Sequence, residues 1–335
     1  MPVEQYLEVA QNTSFKDVLV TFFTILQYPA ITLFTAMLLE IVLPIGNNLR
    51  LQALTPFFRK LARKVNRAEN SAAQNLFSSV FLPFLLISIA LFILLLLRFC
   101  IDHETILSLL ILPFLLESKP ILKTALAIKT ALANEDKAKA KALLQPHMQR
   151  DCSKLSAMGI NKALCEAVGM SMFINWFAVM VWYLLLGIEG AVLMQLVAVM
   201  NKAFSIKQKE YQLFGSFIYK FEQALLLPCT IVFFMVSLFS VSVVRILKNI
   251  KTHFKTYSSL TSGLILDILG SYANVSLGGP RYYSGNLIRL SKIGGQNEPE
   301  DKSPLKIYNK VRFTGILFVC ICVLIKTYLY AANIH

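Results

Sequence analysis

The sequence predicts an all-α fold, a polytopic bundle of five or six transmembrane helices with a helical hairpin and a basic loop segment on its cytoplasmic side. The first observation is composition, because 56% of the 335 residues are hydrophobic, whereas soluble domains average about 45–50% apolar residues. The second is grouping, since the apolar residues gather in runs near the roughly 20 residues that a helix needs to cross the hydrocarbon. The third is charge, because the basic residues behind the net charge of +14 collect between those runs. We expect one membrane domain over residues 1–335.

The apolar runs predict the individual spans in chain order. Long runs that are expected to cross the membrane lie at residues 18–45, 80–97, 167–187, 224–244 and 313–332. The run at 106–116 has about half the required length, which predicts a short or re-entrant span. The run at 190–200 is typical of a half-helix buried in the bundle. Counting the short span and leaving out the half-helix gives six spans with the N-terminus outside.

Lysine and arginine are concentrated in three segments, at residues 50–67, 118–162 and 245–312. With six spans all three lie on one side, which the positive-inside rule makes cytoplasmic. The expected partner of these charges is anionic membrane lipid. Nucleic-acid binding is not predicted, because the basic residues lack interleaved aromatic residues at stacking distance. The cysteines and histidines show neither a disulfide framework nor zinc-ligand spacing.

Residues 118–165 are more organised than a simple cytoplasmic loop. In TALAIKTALANEDKAKAKALLQPHM the alanine and leucine residues recur at helical spacing, with a break at Asn134 and a stop at Pro146. This pattern predicts an αα-hairpin. It is followed by Arg150 and Asp151, which fit either a turn that caps the next helix through Asp151 or Ser153, or part of a ligand site.

The stretch LGGPRYYSG at 277–285 lies in a polar segment between two apolar runs. Gly278 and Gly279 can adopt backbone angles that turn their amides toward an anion, and Pro280 fixes the exit. Arg281 is then placed to clamp a phosphate or carboxylate, with Tyr282 or Tyr283 covering a ring. The alternative is an ordinary turn without a ligand.

These motifs, in this order, resemble the CobD/CbiB and AmpE superfamily of bacterial inner-membrane proteins. LGGPRYYSG is similar to the family signature Leu-Gly-Gly-Pro-x-x-Tyr-x-Gly, YQLFGSF at 211–217 to its Tyr-x-x-Phe-Gly, and residues 118–155 to its helix pair and Gly-Arg-Asp-Thr turn. The resemblance implies a multi-pass protein of the bacterial inner membrane. Its CbiB members are adenosylcobinamide-phosphate synthases, which use ATP to join cobyric acid to an aminopropanol phosphate. Its AmpE members are signalling modulators linked to β-lactamase induction.

Departures from the synthase pattern favour the AmpE branch. Met170, Ser171, Ile174 and Phe204 stand where the synthases carry acids or asparagine, and apolar side chains cannot ligate Mg²⁺. The resemblance therefore implies a regulatory or ligand-sensing protein without turnover, which binds an anionic small molecule and acts on a signalling partner protein. Its expected ligand-binding residues are Arg150, Asp151, Asn201, Gly278, Gly279, Arg281 and Tyr283.

The alternative is a synthase-like enzyme of cobalamin biosynthesis. In that case Asp151, Glu166 and Glu222 are the expected catalytic residues, and they support Mg²⁺ and ATP. Without turnover, neither cofactor is expected.

Three polar residues fall inside predicted spans, namely Glu40, Asn175 and Lys326. Charged groups in the bilayer are costly unless they pair or reach the interface. We expect Glu40 and Lys326 either to reach the interface by snorkelling or to pair with each other, and Asn175 to join helices by hydrogen bonding.

Overall fold

A computed structural model of the protein describes residues 27–67, 69–241, 246, 259–283 and 286–332. Its helices are α1 Pro29–Val42, α2 Thr55–Val65, α3 Ala72–Cys100, α4 Glu104–Leu115, α5 Ser118–Ala133, α6 Lys137–Leu144, α7 Ala157–Met172, α8 Ala178–Ala203, α9 Ser216–Ser237, α10 Leu260–Ala273 and α11 Ser303–Ala332. A π-helical turn, Phe173–Phe177, joins α7 to α8. Two antiparallel strands, β1 Ser276–Tyr283 and β2 Asn286–Gly294, form a hairpin.

Five helical stretches in the described part of the chain are long and apolar enough to span a membrane. They are Ala72–Cys100, Glu104–Ala133, Ala157–Ala203, Ser216–Ser237 and Ser303–Tyr328, with the shorter apolar helix Pro29–Val42 beside them. The predicted helical membrane bundle is therefore confirmed. Residues 18–26 and 242–244 of the predicted spans lie outside the described residues.

Helix α3 shows how the sequence specifies a lipid-facing element. Its start is fixed by a capping box, in which Ser71 accepts a hydrogen bond from the Gln74 backbone and the Gln74 side chain accepts one from the Ser71 backbone. Beyond that cap the helix is apolar on all sides, and Phe81, Phe84 and Phe92 are exposed. An all-round apolar helix with little buried surface is typical of a membrane span at the edge of a bundle.

The segment from Ala157 to Ala203 reverses direction at Leu186 and Gly187. Gly187 has φ +67°, a left-handed conformation that favours glycine, and both residues depart from helical angles. A straight helix would place Glu166 and Asn201 about 50 Å apart at about 1.5 Å per residue, yet both line one cavity. The half-helix predicted at 190–200 is thus the returning part of α8, and it brings the end of that helix back to the level of α7.

Residues 118–144 form the predicted pair of helices, α5 and α6. The side chain of Asp136 caps α6 by accepting a hydrogen bond from the Lys139 backbone at 2.9 Å. The chain breaks between α4 and α5, where the Glu117 backbone N–H donates to the Asn175 carbonyl at 3.1 Å. The short run at 106–116 therefore ends against the π-helical turn.

The segment at 245–312 was predicted as a basic loop, and this prediction is wrong for its described part. It contains helix α10, the β-hairpin and the first turns of α11. The LGGPRYYSG stretch is strand β1 rather than a free loop, and its register with β2 shifts between Gly278 and Pro280. Such a bulge lets a strand accommodate glycine and proline.

Of the two alternatives expected for Glu40 and Lys326, pairing with each other is wrong, and Glu40 does not reach the interface by snorkelling, because its side chain is buried. Glu40 lies 3.2 Å from Arg50, and both side chains are 1% exposed. The Ser118 hydroxyl donates to the second oxygen of Glu40 at 2.6 Å, whereas Lys326 is exposed. Arg50 also donates to the Leu116 carbonyl. This buried ion pair joins the end of α1 to the break between α4 and α5.

Candidate functional site

Glu166 on α7 is the point at which three separate parts of the sequence meet. Its Oε1 accepts a hydrogen bond from the Gly278 backbone N–H at 2.9 Å and another from Arg281 Nη2 at 2.7 Å. Its Oε2 forms an ion pair with Arg150 Nη2 at 3.2 Å. The turn at Arg150 and strand β1, which contains Gly278 and Gly279 and is called the glycine strand below, are therefore joined through the buried carboxylate of Glu166.

Local contacts hold Arg150 in place. Ser156 caps the start of α7 by accepting a hydrogen bond from the Gly159 backbone at 3.2 Å. The Gln145 side chain donates to the Arg150 carbonyl and accepts from the Cys152 backbone, each at 3.0 Å. The arginine is consequently fixed by the hairpin on one side and by α7 on the other, and it is 5% exposed.

The backbone of the glycine strand lies close to α7 at its two glycines. Gly278 has φ +80° and Gly279 has φ +87°, which are conformations that L-residues rarely adopt. A Cβ at Gly279 would lie 3.5 Å from Lys162 Nζ. Of the predicted ligand-binding residues on this strand, Arg281 lines the cavity, whereas Gly278 and Gly279 do not. The side chain of Tyr283 lies outside the part that the structure describes.

A cavity of about 340 Å³ opens beside this carboxylate, and we call it the basic pocket. Five lysine and arginine residues line it against two carboxylates. The basic residues are Arg59, Arg150, Lys202, Lys207 and Arg281, and the acidic ones are Glu166 and Glu222. An excess of positive charge in a concave site attracts anions, because low-dielectric walls focus the field.

His147 also lines the basic pocket, but it adds no charge at neutral pH. Burial, together with the smaller effect of the nearby Lys202 ammonium, lowers the pKa of its imidazole to about 4. Its Nε2 lies 3.2 Å from the Thr124 hydroxyl. The positive potential of the pocket therefore comes from the lysines and arginines.

Two hydrogen-bonded groups lie in the wall of the pocket. In the first, Asn201 Nδ2 donates to Glu222 Oε2 at 2.5 Å. In the second, Lys202 Nζ donates to the side-chain oxygen Oε1 of Gln52, and Nε2 of Gln52 donates to Oδ1 of Asn175, each at 3.2 Å. Asn175 thus joins helices, as the sequence predicted, and it does so in the wall of the pocket.

One face of α7 and its π-helical extension presents apolar side chains to the same cavity. Met170 and Ile174 are partly exposed there, beside Ser171 and Asn175, while most neighbouring positions are buried. Three of the positions at which the synthase pattern has polar residues, namely Met170, Ser171 and Ile174, therefore line the pocket. The fourth, Phe204, is fully buried and does not.

The predicted site residues divide into two sets. Arg150, Glu166, Asn201, Glu222 and Arg281 come together in the basic pocket. Asp151 does not, because it is exposed and its carboxylate accepts a hydrogen bond from the Ser153 backbone at 2.8 Å. That bond lowers the pKa of Asp151 and closes a local turn. The predicted cap of the next helix through Asp151 or Ser153 is wrong, because Ser156 caps α7.

The sequence analysis missed Arg59, Lys202, Lys207 and His147. Lys202 carried the clearest signal, because it follows Asn201 directly at the end of an apolar run. Arg59 and His147 lie in segments that are distant in sequence, and only the fold brings them to the pocket.

The pocket suits phosphate groups better than a magnesium ion. Arginine and lysine bind phosphate oxygens through charge-assisted hydrogen bonds. The two carboxylates are engaged, Glu166 by two arginines and a backbone amide and Glu222 by Asn201. Among the described residues no group of three or more His, Cys, Asp and Glu is placed to hold a metal. The lining therefore offers cationic donors to phosphate groups, and the residues that the structure describes do not form a Mg²⁺ site of their own.

Fold and site together define a multi-pass helical membrane protein with a positively charged pocket between its helices. The family model described as CobD/Cbib protein matches residues 33–314, which include every residue that lines the pocket. The chain belongs to this family. No curated protein and no solved structure matches it.

Proposed function

We propose that this protein binds a phosphorylated small molecule in the basic pocket. The observation that supports this proposal most directly is the set of five basic side chains around a cavity of about 340 Å³. Two of them, Arg150 and Arg281, form ion pairs with the buried carboxylate of Glu166. Cavities of roughly 300–1,000 Å³ are typical small-molecule sites. Bracing by Glu166 fixes both arginines before a ligand arrives, which reduces the entropy lost on binding.

Two polar atoms in the pocket support a ligand at this place. Within the described part of the chain, Nε of Arg150 and Oδ1 of Asn201 are buried without a hydrogen-bond partner. Buried polar groups are nearly always paired in folded proteins, so such atoms call for water or a bound group. A phosphate ester offers acceptors to the arginine, and its organic part can offer a donor to the asparagine.

Family membership supports a reaction for this ligand, namely ATP-dependent amide formation of the adenosylcobinamide-phosphate synthase type. That chemistry uses an amino-alcohol phosphate, which is a ligand that the basic pocket suits. In this proposal Arg150 and Arg281 hold the phosphate, and Lys202 contributes further positive charge. Neither pocket carboxylate is assigned to Mg²⁺, because both Glu166 and Glu222 already have partners in the protein.

The synthase proposal predicts ATP consumption that depends on both co-substrates. We expect the purified protein in detergent to release ADP from Mg²⁺-ATP when cobyric acid and aminopropanol phosphate are both present. Omission of either of these two co-substrates should abolish the release. The Arg281→Ala variant should lose most of this activity, whereas Lys129→Ala, a change on α5 at a position that does not line the pocket, should not. ATP consumption at background level with every combination would contradict the synthase proposal.

A second candidate is an AmpE-type sensor that binds the ligand without turnover and acts on a signalling partner protein. The observation that favours it is the engagement of Glu166 and Glu222, together with Met170 and Ile174 in the pocket wall. Ligand binding without ATP consumption in the assay above would select this candidate.

We further propose that the pocket faces the cytoplasm of a bacterial inner membrane. Arg59 of α2 and Arg150 of the 118–162 segment line the pocket. In contrast, Arg98 near the far end of α3 is paired with Glu104 and Glu189. The positive-inside rule assigns the end with the larger basic excess to the cytoplasm, and the same residues are suited to contact anionic lipid.

A further inference from the structure

The wall of the basic pocket that lies along α7 and the neighbouring helices is apolar. Its members come from five separate parts of the chain, which makes the surface a property of the fold rather than of one motif. They are Met148, Met170, Ile174, Ile206, Leu226 and Leu266.

The exposure pattern of α7 and its extension shows that these side chains face the cavity. Met170 and Ile174 are partly exposed, while Met172, Phe173 and Trp176 on the other faces are almost fully buried. Because the first two line the pocket, the surface that they expose is turned toward its interior. Apolar surface that faces water is unfavourable, and an apolar ligand group removes that cost.

The charged and apolar parts of the wall are close to each other. Ile174 precedes Asn175, whose side chain is linked through Gln52 to the ammonium of Lys202. Met170 lies one helical turn from Glu166, which holds Arg150 and Arg281. A ligand whose phosphate reaches the arginines therefore extends its remaining atoms along Met170 and Ile174.

We propose that the ligand is a phosphate ester with an apolar body, and that Met170 and Ile174 determine this specificity. The proposal rests on the binding of a phosphorylated small molecule in the basic pocket and is independent of the synthase reaction, whose amino-alcohol phosphate carries a charged amine. Inorganic phosphate alone satisfies the arginines and leaves the apolar wall uncovered.

The test is a series of phosphate esters of increasing chain length. Inorganic, ethyl, butyl and hexyl phosphate are titrated calorimetrically into purified protein in nanodiscs. Affinity is expected to rise about fourfold for each methylene that becomes buried. In Met170→Gln the gain per methylene, measured relative to that variant's own affinity for inorganic phosphate, should fall to less than about twofold, because the added amide interrupts the apolar wall.

Met158→Gln is the matched control, because Met158 lies on the same helix, is half exposed and does not line the pocket. It should keep the wild-type gain. Equal gains in both variants would overturn the assignment to Met170, and a flat series in the wild type would overturn the inference while leaving phosphate binding intact. Failure of every phosphate, inorganic phosphate included, would instead refute the proposed function.

The source of the apolar body is decided by competition. Nanodiscs that contain phosphatidic acid are compared with nanodiscs of neutral lipid in the hexyl phosphate titration. Weaker hexyl phosphate binding in the former assigns a lipid-borne phosphate, and unchanged binding assigns a soluble ester.

Discussion

Replacing Glu166 by glutamine is expected to lower the free energy of unfolding by about 3–5 kcal/mol, because removal of one partner leaves buried charges without compensation. The side chains of Glu166, Arg150 and Arg281 are only 4%, 6% and 10% exposed. Added pyrophosphate should restore part of the loss, since an anion that binds the folded state replaces the missing charge and stabilises it by mass action. Thermal unfolding in detergent, with and without pyrophosphate, measures both effects.

Glu298→Gln is the control for this experiment. Glu298 pairs with Lys292 at 3.0 Å, but both side chains are largely exposed, and such surface pairs are worth about 0–1 kcal/mol. A Glu166→Gln protein as stable as the wild type would contradict the bracing role of this carboxylate. An unstable variant that does not respond to pyrophosphate would contradict the assignment of the two arginines to an anion site.

Replacing Arg50 by methionine is expected to destabilise the protein by a similar amount, about 3–5 kcal/mol. The change leaves Glu40 buried with Ser118 and the Lys119 backbone as its hydrogen-bond donors, and without a counter-charge. The double variant Glu40→Leu with Arg50→Met should recover most of the loss, because a buried ion pair often resembles an apolar pair of similar volume in net stability. Denaturant unfolding of the single and double variants tests this.

Arg98→Met provides the comparison for Arg50→Met. Arg98 is 45% exposed and pairs with Glu104 and Glu189 at the protein surface, so its loss should cost no more than about 1 kcal/mol. A double variant as unstable as the sum of its single changes would show that Glu40 and Arg50 act independently, against the geometry of the pair.

The membrane bundle was predictable because its signal is local. Apolar runs of span length stand out in composition, and even the break between residues 167–187 and 190–200 was visible as a change in pattern. The direction of the chain after that break was not visible, because a reversal depends on the positive φ of Gly187. Glycine at that position is compatible with a continuous helix as well.

The β-hairpin escaped prediction for a different reason. Strand β1 contains two glycines and a proline, which are typical of turns, and only the bulge between Gly278 and Pro280 makes a strand possible there. The 245–312 segment therefore looked like a loop, although it packs a helix and two strands against the bundle.

The site was predictable as a set of residues but not as an arrangement. Arg150, Glu166 and Arg281 were each singled out from the sequence, yet Glu166 and Arg281 are separated by 115 positions. That Glu166 braces the arginines, with Gly278 bonded to it, follows only from the fold. Arg59 could not be assigned, because the direction of a side chain on a helix depends on what the helix packs against.

The most direct test of the central claim is native mass spectrometry of the protein, released from detergent, with added aminopropanol phosphate and pyrophosphate. We predict a one-to-one adduct with the wild type and its loss in the Arg150→Ala, Arg281→Ala double variant, because two charge-assisted contacts worth about 1.5–3 kcal/mol each are removed. A control variant with Lys137→Ala and Lys139→Ala, in the exposed first turn of α6, should keep the adduct. No adduct with the wild type, or an equal adduct with the double variant, would contradict the assignment of the basic pocket as a phosphate site.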